Sequence, residues 1–251
     1  MKISTRCFSL FALLCISLSH ANATEAHWSY QGDHGPAHWG EFSNGLCAAG
    51  TQQSPINVEM KKVRPLKGNA SDLKVDYGVT ALGVSNNGHT IQAYVNEGET
   101  VIFKGSQYRL VQFHFHTPSE HLINYRPYPM EMHLVNQDKD GRLLVLAVMI
   151  KEGKKNEELA ALWEQLPVTQ GKEVILDAKT APNLSMLVPA IGHHLFYQGS
   201  LTTPPCTEGV QWVLFEQPIE LSKSQVQKFQ QLFPENRRPT QPANEREVIE
   251  D

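Results

Sequence analysis

Short apolar or alternating runs, separated at close intervals by glycine, proline and asparagine, make up most of this sequence. The clearest of them cover residues 101–104, 108–116, 130–135 and 143–150. Short runs with period-two alternation or continuous apolar character, bounded by turn residues, predict β-strands. The chain is therefore expected to be rich in β-structure.

Two segments carry a helical pattern instead. Residues 156–165 begin with Asn156, a candidate N-cap, and continue with glutamates in the first turn. Residues 222–233 begin with Ser222, directly after Leu221. Both segments are short, so the sequence predicts helices packed at the periphery of the sheet.

Residues 24–251 contain no internal repeat, low-complexity tract or break in composition. With 41% hydrophobic and 19% charged residues, the chain has the composition of an ordinary globular domain. We therefore expect a single domain over residues 24–251. Its last stretch, residues 244–251, is polar, and we expect it to fray.

The amino terminus has the pattern of a secretory signal peptide. Lys2 and Arg6 form a basic n-region, residues 7–18 are apolar, and Ala-Asn-Ala at 21–23 matches a cleavage site. An uncleaved anchor is the alternative, but the apolar run is shorter than the roughly 18 residues that a spanning helix needs. We expect residues 1–23 to be removed and the mature chain to be secreted without a membrane span, with the periplasm as its destination.

The charge balance excludes one class of partner. Without Lys2 and Arg6 the chain keeps 20 basic against 26 acidic residues, so its formal net charge moves from −4 to −6. A mildly acidic chain is unsuited to binding phosphate backbones, which attract basic surfaces. We expect no nucleic-acid partner.

Two cysteines remain after the signal peptide is removed. Cys7 and Cys15 lie within it, which leaves Cys47 and Cys206 in an oxidising compartment. We expect one disulfide between them. The alternative of two free buried cysteines stays open, because the two positions are far apart in the sequence.

Histidines alternate with phenylalanines in the run that ends at residue 116. If residues 110–116 form a strand, one face carries Gln112, His114 and His116. The other face carries three apolar side chains, Val111, Phe113 and Phe115. Two imidazoles therefore project to the same side from neighbouring positions of that face.

A second candidate strand supplies a third histidine. On residues 130–135, Glu131, His133 and Val135 share one face, opposite two apolar side chains, Met132 and Leu134. If the two strands are neighbours, three imidazoles converge. Three neutral histidines with one open position are typical of catalytic zinc, whereas structural zinc is normally closed by four protein ligands.

Two further side chains fit this interpretation. Gln112 and Glu131 each lie two residues before a candidate ligand, and each is placed to accept the other ring N–H of that histidine. His-x-His alone is more often two ordinary histidines on a polar strand face than a metal site, and the third histidine with its paired carboxylate reverses that preference. His-x-His followed by Glu120 also suits a cupin, but Gly105 lies too far before the histidines and Pro127 occupies the later glycine position.

Several separated motifs occur in the order that one enzyme family shows. They are His-Trp-Ser-Tyr at 27–30, Gly-Pro-Ala-His-Trp at 35–39, Gln-Ser-Pro-Ile-Asn at 53–57, Asn-Asn-Gly-His at 86–89, Gln-Phe-His-Phe-His at 112–116, Ser-Glu-His at 119–121, Glu-Met-His-Leu-Val at 131–135 and Gly-Ser-Leu-Thr-Thr-Pro-Pro-Cys at 199–206. Through them the chain from about residue 28 to 242 resembles the α-carbonic anhydrases of the secreted, bacterial type. The two histidine strands together with Ser-Leu-Thr-Thr-Pro-Pro are the most specific part of the resemblance.

The resemblance implies a fold and a reaction. The fold is a single α+β domain on a large, twisted, mainly antiparallel sheet of about ten strands, with short peripheral helices. Zinc is bound by His114, His116 and His133, and it lowers the pKa of a bound water from 15.7 to about 7, for which carbonic anhydrase is the standard example. The zinc hydroxide attacks carbon dioxide to give bicarbonate, with weak ester hydrolysis as a side activity.

The resemblance also assigns roles around the metal. Thr202 accepts from the zinc hydroxide and donates to Glu120, an order that follows because an ionised carboxylate only accepts. Thr203 contacts the bound anion through ordered water, although by sequence alone it is equally a turn threonine. Asn236 supplies a backbone acceptor for one zinc histidine.

Proton release and substrate binding complete the implied site. His89 relays the proton to solvent, along a water path lined by Tyr30, Asn87 and Gln92. An apolar wall receives carbon dioxide, although its members fit a plain core equally well: Val135, Val145, Leu201, Val210 and Trp212. The other histidines of the mature chain are expected to be structural or exposed: His27, His34, His38, His121, His193 and His194.

The sequence leaves two alternative functions open, and the resemblance implies an oligomeric state. Carbonic-anhydrase-like domains that lack zinc ligands act as binding or adhesion modules, but this chain keeps all three ligands together with Thr202 and Glu120. A secreted zinc protein that only binds anions or metal is the other alternative. Secreted bacterial relatives often form dimers, so a homodimer is expected.

Overall fold

One large sheet organises the chain, which this computed structural model describes at residues 27–42, 45–67, 73–95 and 98–251. In chain order, the strands of this sheet and of a small second one are β1 (Asn57–Val58), β2 (Arg64–Pro65), β3 (Lys74–Asp76), β4 (Leu82–Asn86), β5 (Ile91–Val95), β6 (Thr100–Phe103), β7 (Ser106–His116), β8 (Leu122–Ile123), β9 (Met130–Gln137), β10 (Leu143–Glu152), β11 (Glu173–Leu176), β12 (His194–Ser200), β13 (Glu208–Leu221) and β14 (Ile249–Glu250). The predicted signal peptide, residues 1–23, lies outside the described residues and stays a prediction. The four strands predicted from the sequence are present as β6, β7, β9 and β10.

Within the described residues the main sheet has twelve strands, ten of them in the order β11-β4-β5-β7-β9-β10-β13-β12-β14-β2. β6 pairs with the first half of β7, and β3 pairs with β6. Most neighbours are antiparallel, but β10 runs parallel to β13 and β14 runs parallel to β2. The expected single α+β domain on one large sheet is confirmed, and the sheet is mixed and wider than expected.

Two apolar clusters lie on opposite faces of this sheet. Along β10, Leu144 and Leu146 belong to the first cluster, whereas Val145 and Ala147 belong to the second. A strand buried on both faces explains the nearly continuous apolar run at 143–150. Both clusters exclude water from the strands that carry the histidines.

A β-bulge corrects one expected strand face. Phe113 and Phe115 are fully buried in the first cluster, but Val111, expected beside them, is 36% exposed. The register of β7 against β9 shifts between Leu110 and Gln112, so Leu110 takes the core position instead. An extra residue in one strand reverses the alternation on its far side.

The α-helices of the described residues are short. They are α1 (Trp39–Phe42), α2 (Leu46–Ala49), α3 (Ala160–Glu164) and α4 (Lys223–Leu232). The helix expected at 222–233 is confirmed, and Ser222 caps it in a capping box with Gln225. The helix expected at 156–165 is wrong in its first half: Asn156 Oδ1 accepts from Leu159 N at 3.1 Å and closes a turn, and the helix begins only at Ala160. None of these helices is long and apolar enough to cross a membrane.

The expected fraying of residues 244–251 is also wrong. Ile249–Glu250 forms β14, which pairs with β12 on one side and with β2 on the other. Leu66 N donates to Glu250 O at 2.6 Å, and His194 Nδ1 lies 2.9 Å from Asp251 Oδ2. A polar segment can be ordered in this way because backbone hydrogen bonds do not depend on apolar side chains.

Candidate metal centre

Three imidazoles meet on one face of the sheet. His114 and His116 project from β7, and His133 lies opposite His114 in the antiparallel register of β9. One ligand nitrogen from each ring lies within 4.8 Å of the other two. Two strands of alternating pattern therefore assemble a cluster of three histidines, because antiparallel pairing brings the same face of both strands together.

Each of these rings has a hydrogen bond on its far side. The acceptors are Gln112 Oε1 at 2.8 Å from His114 Nδ1, Asn236 O at 2.6 Å from His116 Nδ1 and Glu131 Oε1 at 2.7 Å from His133 Nε2. A neutral imidazole that donates with one nitrogen presents a lone pair on the other. The nitrogens that face one another are then His114 Nε2, His116 Nε2 and His133 Nδ1.

Burial lowers the pKa of two of the three histidines, so that their rings are neutral and able to bind a cation. Desolvation, followed by the neighbouring histidines, lowers the pKa of His114 well below its ordinary value, and desolvation also lowers the pKa of His116. Burial opposes ionisation of Glu131, but His121 and His133 outweigh it and hold the pKa of this carboxyl well below its usual range. The site therefore combines two histidine rings that burial keeps neutral, His114 and His116, with a buried carboxylate behind the third ring.

Two buried acceptors in the cluster lack a donor. Among the described residues, His116 Nε2 and Glu120 Oε2 have no hydrogen-bond partner, and they lie only 3.5 Å apart. An unpaired buried acceptor is costly, and two that face each other repel. A cation at the three nitrogens removes this conflict, and three histidine nitrogens suit zinc. The residues present therefore fit a zinc ion.

A second group, His121, Glu131 and His133, is also compact enough to hold a metal. Its facing atoms are already paired, because Glu131 Oε1 accepts from His121 Nδ1 at 2.6 Å as well as from His133 Nε2. This group is therefore a hydrogen-bond network behind the first cluster.

The network continues to the loop after β12. His121 Nε2 lies 2.6 Å from Tyr197 Oη, which in turn lies 2.8 Å from Ser54 Oγ. Ser200 N donates to Ser54 Oγ at 3.1 Å, and Ser54 N donates to Ser200 Oγ at 2.8 Å. Gly199 has to be glycine here, because a Cβ would lie 2.1 Å from Ser54 Oγ. The orientation of His133, a candidate ligand, is thus linked to the start of the loop.

That loop carries Thr202, which is buried, and Thr203, which is partly buried. Cys206, in the same loop, forms a disulfide with Cys47, with an S–S distance of 2.06 Å. The predicted disulfide is therefore confirmed. The hydrogen bond from Thr202 to Glu120 that the resemblance implies is not formed, since Glu120 Oε2 has no partner among the described residues. This oxygen is turned toward the imidazoles, 3.9 Å from His133 Nδ1.

Arg238 connects the disulfide to Glu120. Its guanidinium, 1% exposed, donates to Gln53 Oε1, Ser54 O and Cys47 O, each at 2.8 Å. Its backbone N donates to Glu120 Oε1 at 2.7 Å. Burial lowers the pKa of Arg238 to about 10, opposed by Glu120, which leaves it charged at neutral pH.

His89 lies in the turn between β4 and β5. Its ring stacks on Trp28, with centroids 3.6 Å apart and planes at 8°. Asn87 Oδ1 accepts from His89 N at 2.9 Å, and Asn87 Nδ2 donates to Gln92 Oε1 at 3.3 Å. Gln92 is the residue of β5 opposite His114, so the turn leads directly to the histidine cluster.

The expected apolar wall is brought together in the second cluster. Val145 pairs across the sheet with both Val135 and Trp212, and the Trp212 ring lies 4.9 Å from the His133 ring. Val210 is buried in the same cluster, and Leu201 packs against it. The apolar surface therefore begins beside a candidate ligand histidine.

Comparisons with known proteins agree with this geometry. The family model for eukaryotic-type carbonic anhydrase matches residues 34–251. The chain belongs to the α-carbonic anhydrase family. Carbonic anhydrases of Nostoc sp. and Neisseria gonorrhoeae are each 40% identical to it, covering 94% and 98% of this chain and 90% and 96% of their own lengths. The α-carbonic anhydrase of Thermovibrio ammonificans, solved in complex with the inhibitor sulfanilamide, has a TM-score of 0.84 and 40% identity, over 89% of this chain and 98% of that one.

Family membership makes this α-carbonic anhydrase a lyase, and the general reaction of the family is the hydration of carbon dioxide. Sequence reasoning missed four buried residues that support the site: Ser54, His121, Tyr197 and Arg238. The motifs Gln-Ser-Pro-Ile-Asn and Ser-Glu-His contained Ser54 and His121 without revealing their partners. Only the three-dimensional pairing of distant segments shows what these side chains contact.

Proposed function

We propose that this α-carbonic anhydrase binds zinc through His114, His116 and His133 and interconverts carbon dioxide and bicarbonate. One observation carries the proposal: three ring nitrogens, each with a hydrogen bond on the opposite side of its ring, lie within 4.8 Å of one another. When bound, zinc acts as a Lewis acid and lowers the pKa of water to about 7, an effect whose reference example is carbonic anhydrase itself.

Thr202 and Glu120 orient the attacking water in this proposal. Arg238 N occupies Glu120 Oε1, so Oε2, which has no donor in the described part of the chain, is the oxygen that accepts from the Thr202 hydroxyl when zinc is bound. A hydroxyl has one proton, so a Thr202 that donates to Glu120 accepts from the water. The water then directs its remaining lone pair at the carbon of the substrate.

The apolar wall holds the substrate beside the histidines. Carbon dioxide is small and apolar, so Val145, Val210 and Trp212, which are buried beside His133, suit it better than a polar pocket would. Water excluded from this side leaves fewer competitors for the site. Thr203, next in the chain to Thr202, contacts the bicarbonate anion through ordered water.

His89 carries the released proton toward solvent. Burial, followed by the charge of His27, lowers the pKa of His89, which keeps its ring neutral and able to accept a proton near neutral pH. Tyr30, Asn87 and Gln92 line the path. Burial and the Glu120 carboxylate raise the pKa of Tyr30 well above its ordinary value, so its phenol stays protonated.

We also propose that the enzyme works after export to the periplasm, as residues 24–251 and as a homodimer. The Cys47–Cys206 disulfide is consistent with an oxidising, extracytoplasmic compartment. Sulfanilamide, the inhibitor in the Thermovibrio complex, is expected to inhibit this enzyme as well. Weak ester hydrolysis is the expected side activity.

Metal reconstitution tests the proposal. Protein stripped with a chelator is titrated with zinc, and carbon dioxide hydration is measured at each step. Hydration should rise in proportion to zinc, stop rising at one zinc per chain, and be inhibited by sulfanilamide. Zinc bound without hydration would favour a binding module, and hydration independent of zinc would exclude the proposed chemistry.

A further inference from the structure

Every polar atom of Asn236 is hydrogen-bonded beside the metal centre. The residue is 1% exposed. Its backbone O accepts from His116 Nδ1 at 2.6 Å, and its backbone N donates to Thr117 O at 3.1 Å. Its Oδ1 accepts from Thr117 N at 2.7 Å, while Nδ2 donates to His89 O and to Phe115 O, each at 3.0 Å. One residue therefore contacts both a ligand histidine and the turn that carries His89.

The backbone and the side chain of Asn236 have separable tasks. Any residue at this position supplies the carbonyl that holds His116. Only a side-chain donor reaches the carbonyls of His89 and Phe115 together. Because Phe115 directly precedes His116 on β7, this amide fixes the His89 turn at a set distance from a ligand.

The other contacts of His89 do not set this distance as directly. Asn87 Oδ1 accepts from His89 N within the turn itself, and Trp28 supports only the ring. Thr90 Oγ1 donates to Phe115 O at 2.6 Å and ties the next residue to the same strand. Asn236 is the contact that joins the backbone of His89 itself to the strand of His116.

We propose that the Asn236 side chain is a positioning residue for proton transfer, because it holds His89 at its working distance from the metal centre. This inference rests on the proposed function, in which His89 relays the proton. Misplacement of a reacting group by about 1 Å lowers rates by as much as about 100-fold. Loss of the amide should therefore slow proton transfer, whereas the reaction at the metal continues.

Asn236→Asp is the test variant. It keeps the size of the side chain and the acceptor for Thr117 N, but it places an oxygen against the carbonyls of His89 and Phe115. Asn136→Asp is the matched control, because Asn136 is also fully buried in the sheet, donates to Leu134 O at 3.0 Å and accepts from Tyr77 Oη at 2.7 Å. Both variants suffer the same chemical change, and only one of them contacts the His89 turn.

Two measurements are made on both variants. In metal-free protein, nuclear Overhauser contacts between the His89 ring and the Trp28 indole report the position of His89. In zinc-loaded protein, oxygen-18 exchange separates the interconversion of carbon dioxide and bicarbonate from proton transfer. For Asn236→Asp we expect the ring contacts to weaken, proton transfer to fall at least about tenfold with recovery in imidazole buffer, and interconversion to fall by a clearly smaller factor.

Several results would overturn the inference. One is an equal loss in both steps, and another is the same loss of proton transfer in Asn136→Asp. In a His89→Ala background Asn236→Asp should cost nothing further, so an additional loss of proton transfer also contradicts it. If the wild-type protein does not hydrate carbon dioxide, the proposed function fails, but unchanged His89–Trp28 contacts in metal-free Asn236→Asp would still refute the positioning role.

Discussion

At the scale of single residues, the site depends on which atom of each side chain is left free. Glu131 shows this best, since its two oxygens accept from His133 Nε2, His121 Nδ1 and His121 N at 2.7, 2.6 and 2.8 Å. Three donors fix the carboxylate, and the carboxylate fixes the ring of His133. Glu131 thereby determines which nitrogen of His133 points at the other two histidines, although Glu131 itself lies behind the ring.

Glu131→Gln tests this dependence. A carboxamide places an N–H against the donors of His121 or His133, so the His133 ring loses its fixed orientation. Zinc affinity should fall about 10–100-fold, measured by competition with a chelator at neutral pH. Glu173→Gln on the edge strand β11 loses the same charge and should bind zinc like the wild type. Equal affinity in the two variants would contradict the role of Glu131.

Some of these supporting residues could be predicted from the sequence and others could not, for a physical reason. Gln112 and Glu131 were found because a spacing of two along a strand puts a residue beside its histidine. His121 and Tyr197 were missed because their partners are set by tertiary contacts, 10 and 76 residues away along the chain. Thr202 was identified from a motif, but the motif did not reveal that Glu120 Oε2 is turned toward the imidazoles.

At the scale of elements, the alternation of apolar and polar residues predicted four strands of the sheet but not the strand at the carboxyl end of the chain. The register of His114 against His133 follows from two amphipathic strands with one polar face each. The bulge at Val111 and the terminal strand β14 were not predictable, because the first depends on local register and the second on backbone pairing with β2 and β12. β14 is held by titratable groups as well as by its ladder.

Docking of β14 should weaken as the pH rises. The hydrogen bond to the backbone O of Asp251, followed by nearby carboxylates, raises the pKa of His193, and burial with the Glu250 carboxylate raises the pKa of Glu216. Both shifts favour the protonated form in the folded state. The stabilisation is therefore lost as pH rises from the ordinary value of glutamate, 4.5, to above that of histidine, 6.5.

Hydrogen exchange measures this opening. The amide of Leu66, which donates to Glu250 O, should exchange faster at pH 8 than at pH 5.5 after correction for intrinsic rates. His193→Gln should reduce the difference. Protection that does not change between the two pH values would show that the titratable groups do not hold the strand.

At the scale of the whole molecule, long-range crosslinks hold the loop that carries Thr202 against the sheet. The disulfide joins residues 159 positions apart, and Arg238 connects Cys47 O to the segment that contacts Glu120. The sequence predicted the disulfide from two remaining cysteines. It did not predict Arg238, since nothing in a run of polar residues near the end of the chain indicates full burial.

Reduction of the disulfide should lower both stability and activity. Closing so long a loop restricts the unfolded chain, so its loss should cost about 2–5 kcal/mol in the free energy of unfolding by urea. Activity should fall by more than the fraction of unfolded protein accounts for, because Thr202 lies four residues before Cys206 in the loop that the disulfide anchors. The Cys47→Ser/Cys206→Ser protein should match the reduced wild type, and full activity with a reduced pair would refute the link to catalysis.

Stopped-flow hydration of carbon dioxide on purified residues 24–251, with zinc determined on the same sample, shows whether the three histidines form the reaction centre. His133→Ala removes one ligand nitrogen, and His193→Ala removes an exposed histidine as a matched control. Fast hydration with one zinc per chain, abolished in His133→Ala and retained in His193→Ala, is the result that we predict. A zinc-loaded wild-type protein without hydration, or a His133→Ala protein that remains active, would contradict the three-histidine centre as the site of the reaction.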